Sequence, residues 1–185
     1  MKKHLIFGLL LVSINYNCAE VNAQETAENT KTADSSYTPP TTRFLDELLH
    51  EDPLYTSIIR VDQQKDGAFV LSVQMNLKKE AYFVSPHEQK DLTGKFTIVL
   101  TESEKIHTDG NIMESPLAKT ENLHGFVKCV RENTQYKQTL KVLSKENFEV
   151  YGYLQFTIEP RCTLEKIPFI LSYQDGKLSV KLDGC

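Results

Sequence analysis

The stretch 148–171, FEVYGYLQFTIEPRCTLEKIPFIL, constrains the fold more than any other part of the chain. In its first half, apolar side chains occupy alternate positions: Phe148, Val150, Leu154, Phe156 and Ile158. A period of two is typical of a β-strand with one buried face. Pro160 interrupts this run, because proline cannot donate a hydrogen bond to a sheet, and the alternation resumes at Ile167. The stretch therefore predicts two packed strands joined by a tight connection that contains Cys162.

Further segments with the same alternation follow one another from Ile58 to the end of the chain. They lie at 69–77, 96–100, 126–130, 136–143 and 178–182. The dipeptide Asp175-Gly176, just before the last of them, marks a β-hairpin. Roughly seven or eight short strands, with no convincing helix among them, predict an all-β fold, an antiparallel β-sandwich of immunoglobulin type. The chain has no tryptophan, so the Cys–Trp–Cys signature is absent and a true immunoglobulin domain is not predicted.

Residues 1–23 carry the three parts of an export signal. Lys2 and Lys3 form the basic end, an apolar run occupies 5–14, and Val21-Asn22-Ala23 is a small-residue cleavage site. The apolar run is too short for a transmembrane helix, and nothing after it is long and apolar enough to span a bilayer. Cys18 offers an alternative as a lipoprotein cysteine, but Asn15-Tyr16-Asn17 lacks the aliphatic and small residues expected before such a site. The sequence therefore predicts a cleaved signal peptide and an exported protein, periplasmic or secreted.

Residues 24–42 are rich in Thr, Ser, Ala, Glu and Asn and have too little apolar surface to fold, so a disordered tether is predicted. Residues 43–50 follow, with four apolar side chains on one helical face: Phe44, Leu45, Leu48 and Leu49. This pattern predicts a short N-terminal helix, packed on the end of the domain or docked on a partner. The folded domain is then expected to span 43–185.

Composition and motifs exclude several classes of function. After removal of the leader, the chain keeps 19 basic and 24 acidic residues. This mild acidity, without a basic patch, argues against a nucleic-acid partner. The histidines lack metal-ligand spacing, no serine lies in a nucleophile elbow, and no glycine-rich phosphate loop is present. The sequence therefore predicts no metal and no other cofactor, and it leaves the oligomeric state open.

Three cysteines remain after the leader, at Cys129, Cys162 and Cys185. An odd count in an exported protein leaves at least one thiol free or bonded outside the chain. Cys129 lies in the middle of a predicted strand, where a small packed residue is expected. Cys162 lies in the predicted connection beside Arg161, whose charge would favour a reactive thiolate. Two alternatives stay open for Cys162: a half-buried structural cysteine, or one half of a disulfide with Cys129 or Cys185.

The segment 114–178 resembles the N-terminal periplasmic domain of the thiol:disulfide interchange protein DsbD, an immunoglobulin-like sandwich. In that family a cap loop precedes the strands, and a cysteine loop leads through prolines into a returning strand. Asn122-Leu123-His124-Gly125 is similar to the cap loop, and Cys162 with residues 163–168 is similar to the second active cysteine and its exit. Glu80-Ala81-Tyr82-Phe83-Val84-Ser85-Pro86 is similar to the aromatic segment that flanks the site.

The resemblance implies a role for four residues. Cys162 would be the catalytic thiol, Leu123 and His124 would belong to the cap, and Tyr82 would flank the site. One departure limits the chemistry: the family carries two cysteines about five residues apart, and this chain has Thr157-Ile158-Glu159-Pro160 where the first would lie. A dithiol relay within this loop is therefore excluded.

The expected function is thus a degenerate form of cell-envelope thiol–disulfide exchange, in which Cys162 alone forms mixed disulfides with thiols or disulfides of envelope proteins. The alternative is a non-catalytic β-sandwich that serves as a binding or structural module of the envelope. A carbohydrate-binding sandwich is a further alternative, because Tyr151 and Tyr153 share one face of a predicted strand.

Overall fold

The computed structural model describes residues 47–123 and 125–182, and every regular element among them is a β-strand. The twelve strands are β1 (Glu47–Glu51), β2 (Tyr55–Gln63), β3 (Phe69–Leu77), β4 (Phe83–Val84), β5 (Thr97–Leu100), β6 (Ile106–Ser115), β7 (Lys119–Asn122), β8 (Phe126–Val130), β9 (Thr134–Val142), β10 (Phe148–Ile158), β11 (Thr163–Gln174) and β12 (Lys177–Lys181). Within these ranges no helix is long and apolar enough to cross a bilayer. The all-β prediction is confirmed.

The strands form three antiparallel sheets. A five-stranded sheet has the order β1-β2-β3-β9-β6, a four-stranded sheet has the order β12-β11-β10-β5, and a small sheet has the order β4-β8-β7. The two large sheets pack face to face, since Tyr55 of β2 meets Phe156 of β10 edge-on, with ring centroids 5.1 Å apart. Phe69 of β3 contacts Tyr173 of β11 in the same way, at 6.2 Å. The predicted antiparallel β-sandwich is therefore confirmed.

Aromatic side chains fill the space between the sheets. The Phe96 ring stacks on Tyr136 of β9 with 4.0 Å between centroids, and Phe83 of β4 contacts both Phe96 and Phe156. All of these rings are buried and belong to one continuous core. The small sheet is thus attached to the sandwich through Phe83. Burial of large aromatic side chains is the main source of stability in such a core.

The two hairpins predicted at the end of the chain are present. β10 pairs with β11 from Phe148 opposite Tyr173 to Ile158 opposite Thr163, so the connection consists of residues 159–162. β11 returns into β12 through Asp175 and Gly176, which both have positive φ angles, as a tight two-residue hairpin turn requires. The alternating residues predicted to face inward in β10 are all buried.

The predicted N-terminal helix is wrong over residues 47–50, which belong to strand β1. Leu48 lies opposite Ile59 of β2 and is 5% exposed, whereas Leu49 points outward and is 44% exposed. Pairing with β2 gives this short segment backbone hydrogen bonds and one buried leucine, which outweighs its weak helical pattern. Residues 43–46 lie outside the described residues. The predicted signal peptide, the tether, Cys18, His124 and Cys185 also lie outside them.

Candidate functional site

Cys162 occupies the exposed end of the β10–β11 hairpin, as the sequence predicts. Its side chain is accessible to solvent, so the half-buried structural role is not observed. Its φ angle is +54°, a left-handed conformation that residues with a Cβ adopt uncommonly. A tight hairpin imposes this conformation on the residue just before the returning strand. A partner molecule could therefore reach the sulfur from outside.

Arg161, which was expected to activate that sulfur, is bound to two carboxylates. Its guanidinium donates to Asp52 Oδ2 at 3.1 Å from two nitrogens and to Glu165 Oε1 at 2.6 Å. These bonds, Glu165 first and Asp52 second, raise the pKa of Arg161 above its ordinary value. The positive charge is therefore matched by two negative charges on its own side of the hairpin, and it gives the Cys162 thiolate little support.

The same carboxylates connect this hairpin to the first hairpin of the chain. The Tyr55 hydroxyl donates to Glu165 Oε2 at 3.3 Å and lies 3.3 Å from His50 Nε2. Burial, followed by the charge of Glu165, raises the pKa of Tyr55, so its hydroxyl remains a donor. The resulting chain of hydrogen bonds runs from β1 and β2 to the residues around Cys162. Its polar groups are used to hold two hairpins together.

Cys129 is a buried residue at the second-last position of β8, and it is not bonded to Cys162. It lies between Val84 of β4 and Lys119 of β7 in the small sheet. Burial, with a smaller contribution from Glu121, raises the pKa of the Cys129 thiol. The expected structural role is supported, because a buried thiol with a raised pKa is a poor nucleophile.

Tyr82 lies next to the strand that leads into the Cys162 connection. It forms an isolated antiparallel bridge with Glu159, and its N–H donates to the Glu159 carbonyl at 3.2 Å. On its other side, the Arg131 guanidinium carbon lies 4.0 Å from the centre of the tyrosine ring. Arg131 in turn donates to both carboxylate oxygens of Glu121, at 2.7 and 2.8 Å. Tyr82 therefore flanks the cysteine hairpin, but a cation already covers one face of its ring.

Leu123 lies at the opposite end of the small sheet. It follows β7 in the tip of the β7–β8 hairpin, where its N–H donates to the Gly125 carbonyl at 3.0 Å. Along β8, the end near Tyr82 and the end near Leu123 are about four residues apart, which corresponds to roughly 13 Å of extended strand. The structure thus brings Tyr82 close to the Cys162 hairpin and leaves Leu123 away from it.

The structure also contains a buried carboxylate and an open groove that the sequence patterns do not indicate. Glu114 accepts hydrogen bonds from Tyr136 at 3.0 Å, Ser85 at 2.9 Å and the Ala118 N–H at 3.1 Å. Beside it, a groove of about 580 Å³ runs along β6, here named the β6 groove; it is lined by His87, Ile112, Met113, Glu114, Leu117 and Lys137, together with Ser115 and Gln135. The available signal was two unpatterned apolar residues, Met113 and Leu117, on either side of Pro116.

Within residues 47–123 and 125–182, no three His, Cys, Asp or Glu side chains are grouped so as to hold a metal ion. Tyr151 and Tyr153 lie on the outer face of the four-stranded sheet, and the Lys166 ammonium lies 5.2 Å from the centre of the Tyr153 ring. That face therefore presents one open tyrosine, Tyr151, and one covered tyrosine.

Comparison with known proteins identifies no family. No protein-family model and no curated protein matches the chain. Among solved structures, the GAE domain of GGA2p from Saccharomyces cerevisiae is similar with a TM-score of 0.39 and 6% identity, over 70% of this chain and 98% of that one. The GAE domain of yeast GGA1 is similar with a TM-score of 0.38 and 5% identity, over the same shares of the two chains. Both TM-scores are too low to assign a family or a function.

Proposed function

We propose that this chain is an exported β-sandwich of immunoglobulin type that serves as a non-catalytic binding or structural module of the cell envelope. The observation that supports the proposal most directly is the double ion pair of Arg161 with Asp52 and Glu165. Reactive cysteines are typically activated by a nearby cation, a metal or a helix N-terminus that stabilises the thiolate. The cation next to Cys162, Arg161, is already ion-paired with Asp52 and Glu165.

Within residues 47–123 and 125–182, the second cysteine, Cys129, is not placed to resolve a mixed disulfide on Cys162, which supports the same proposal. A thiol–disulfide relay passes a mixed disulfide on to a second thiol nearby. Cys129 is buried in the small sheet and has a raised pKa, so it does not suit this role. What remains around Cys162 is a hydrogen-bonded network that holds two hairpins in place.

A second candidate function is thiol exchange of the DsbD type, and the exposure of Cys162 favours it. In that reaction the Cys162 thiolate attacks one sulfur of a partner disulfide. A new bond forms between Cys162 and that sulfur, and the partner's other sulfur leaves as a thiolate, so the exchange requires no further oxidant. Tyr82, beside the hairpin, would then contact the partner.

The rate of alkylation by iodoacetamide distinguishes these two functions. We expect Cys162 in the folded chain to react within about threefold of the rate of the unstructured peptide EPRCTLE, because the adjacent cation, Arg161, is already paired with two carboxylates. Arg161→Ala leaves Asp52 and Glu165 without their cation, so this rate should fall slightly, by no more than about threefold, and should not rise. A rate about a hundredfold above that of the peptide, lost in Arg161→Ala, would overturn the proposal. Buried Cys129 should stay unmodified until the chain unfolds, which provides an internal control.

A further inference from the structure

We propose that the β6 groove binds an extended peptide segment of a partner protein, one that carries a large apolar side chain flanked by carboxylates. The inference rests on the proposed function as a binding module and assigns it a surface and a class of partner. The groove volume of about 580 Å³ is enough for one large side chain together with the peptide backbone around it.

Two apolar residues of the groove lining are exposed to solvent. Met113 is 55% exposed and Leu117 is 69% exposed, and both line the groove together with the partly buried Ile112. Exposed apolar side chains that line one groove beside polar and charged groups are typical of a binding site.

An unpaired strand edge runs along the groove. β6 is the last strand of the five-stranded sheet, and no strand of the described ranges pairs with its outer side. A β-bulge between Asp109 and Met113 separates the segment beside the groove from the rest of β6. The Gln138 amide fixes this bulge by donating to the carbonyls of Asp109 at 3.0 Å and Gly110 at 3.2 Å. Residues 113–115 thus form a short, preorganised edge to which an extended peptide can add as a strand.

The charges in the groove specify the flanks of that peptide. Lys137, directly opposite Met113 on β9, is exposed, and His87 also lines the groove. The Glu114 carboxylate is the negative group of the lining, but both of its oxygens already accept hydrogen bonds from within the domain. Glu114 keeps its negative charge but is 7% exposed, so the charged group that a ligand reaches is Lys137. An accessible ammonium favours a peptide with aspartate or glutamate beside its apolar anchor.

The test uses a phage library of random ten-residue peptides, selected on the full chain. We expect enriched peptides to carry one Leu, Met, Phe or Trp next to Asp or Glu. Their affinity should fall about tenfold or more in Leu117→Ser and in Lys137→Glu, since each change removes a central contact. Leu164→Ser, another exposed leucine, and Lys141→Glu, another exposed lysine on β9, are matched controls and should bind as the unmodified chain does. All four positions are exposed, so these variants are expected to fold.

Three results would overturn the inference: no enrichment over a Leu117→Ser chain, selected peptides that bind both groove variants at full affinity, or a Lys137→Glu chain that binds acidic peptides unchanged. Selected peptides that bind elsewhere on the chain would leave the proposed binding function intact but would show that the β6 groove is not the binding site. A highly reactive Cys162 would instead contradict the proposed function, and peptide binding in the β6 groove would then be judged from the binding data alone.

Discussion

Replacing Glu114 with alanine removes the acceptor of three hydrogen bonds inside the domain. The donors are the hydroxyls of Tyr136 and Ser85, both fully buried, and the partly buried N–H of Ala118. A buried donor left without an acceptor costs about 1–3 kcal/mol, so Glu114→Ala should lower the free energy of unfolding by about 3–5 kcal/mol. This value lies in the lower part of the sum of three such costs, because water can reach the N–H of Ala118 once its acceptor is removed. Glu114→Gln keeps one carbonyl acceptor and should cost about 1–2 kcal/mol.

Urea unfolding followed by far-ultraviolet circular dichroism measures these differences. The chain has no tryptophan, so this signal replaces the usual fluorescence probe. Exposed Glu102→Ala is the matched control and should change stability by less than about 0.5 kcal/mol. In a thermal scan, Glu114→Ala should lower the Tm by about 10 °C, since 1 kcal/mol corresponds to about 2–4 °C in a domain of this size. Unfolding free energies of Glu114→Ala and Glu102→Ala within about 1 kcal/mol of each other would refute the role of Glu114 as a buried acceptor.

Two further predictions concern a carboxylate and a glycine. Glu88 accepts backbone N–H bonds from Lys90 at 3.0 Å and Lys128 at 2.7 Å, which lower its pKa. The resulting stability is complete above the unfolded-state pKa and is lost as the pH falls through the folded-state pKa, so Glu88→Gln should flatten the loss of stability below about pH 5. Equal pH dependence in both proteins would contradict this. Gly152→Ala should cost about 1–3 kcal/mol, because a Cβ there would lie 2.7 Å from the Phe169 ring; an unchanged urea midpoint would show that the core can adjust.

Local patterns predicted the parts of the fold that depend on neighbouring residues. Residues 148–158 alternate in sequence and alternate in burial, and Asp175-Gly176 forms the hairpin that this dipeptide favours. Strand β6 was missed because an edge strand exposes most of its side chains, and its sequence IHTDGNIMES shows no alternation. Leu48 and Leu49 led to a predicted helix where the structure has strand β1. Only the pairing of β1 with β2 decides which of the two leucines is buried.

The candidate site was predictable only in part, because its chemistry depends on contacts between distant segments. The position of Cys162 in a hairpin follows from the two strands around it. The ion pairing of Arg161 does not follow from the local sequence, because its partner Asp52 is 109 residues away. The sequence placed a free cation beside the thiol, whereas the fold supplies two carboxylates that bind it. The β6 groove likewise combines His87, Leu117 and Lys137, which no sequence motif relates.

The central claim, that the chain acts without thiol chemistry, is tested most directly by the state of Cys162 in the cell. Cells that produce the protein are quenched with acid, their free thiols are alkylated, and the purified chain is mapped by mass spectrometry, including any bond of Cys162 to Cys185. We predict that Cys162 carries the alkyl group, a small-molecule adduct or a bond to Cys185, and that no other protein is attached. A disulfide between Cys162 and a second protein, absent in Cys162→Ser, would contradict the account.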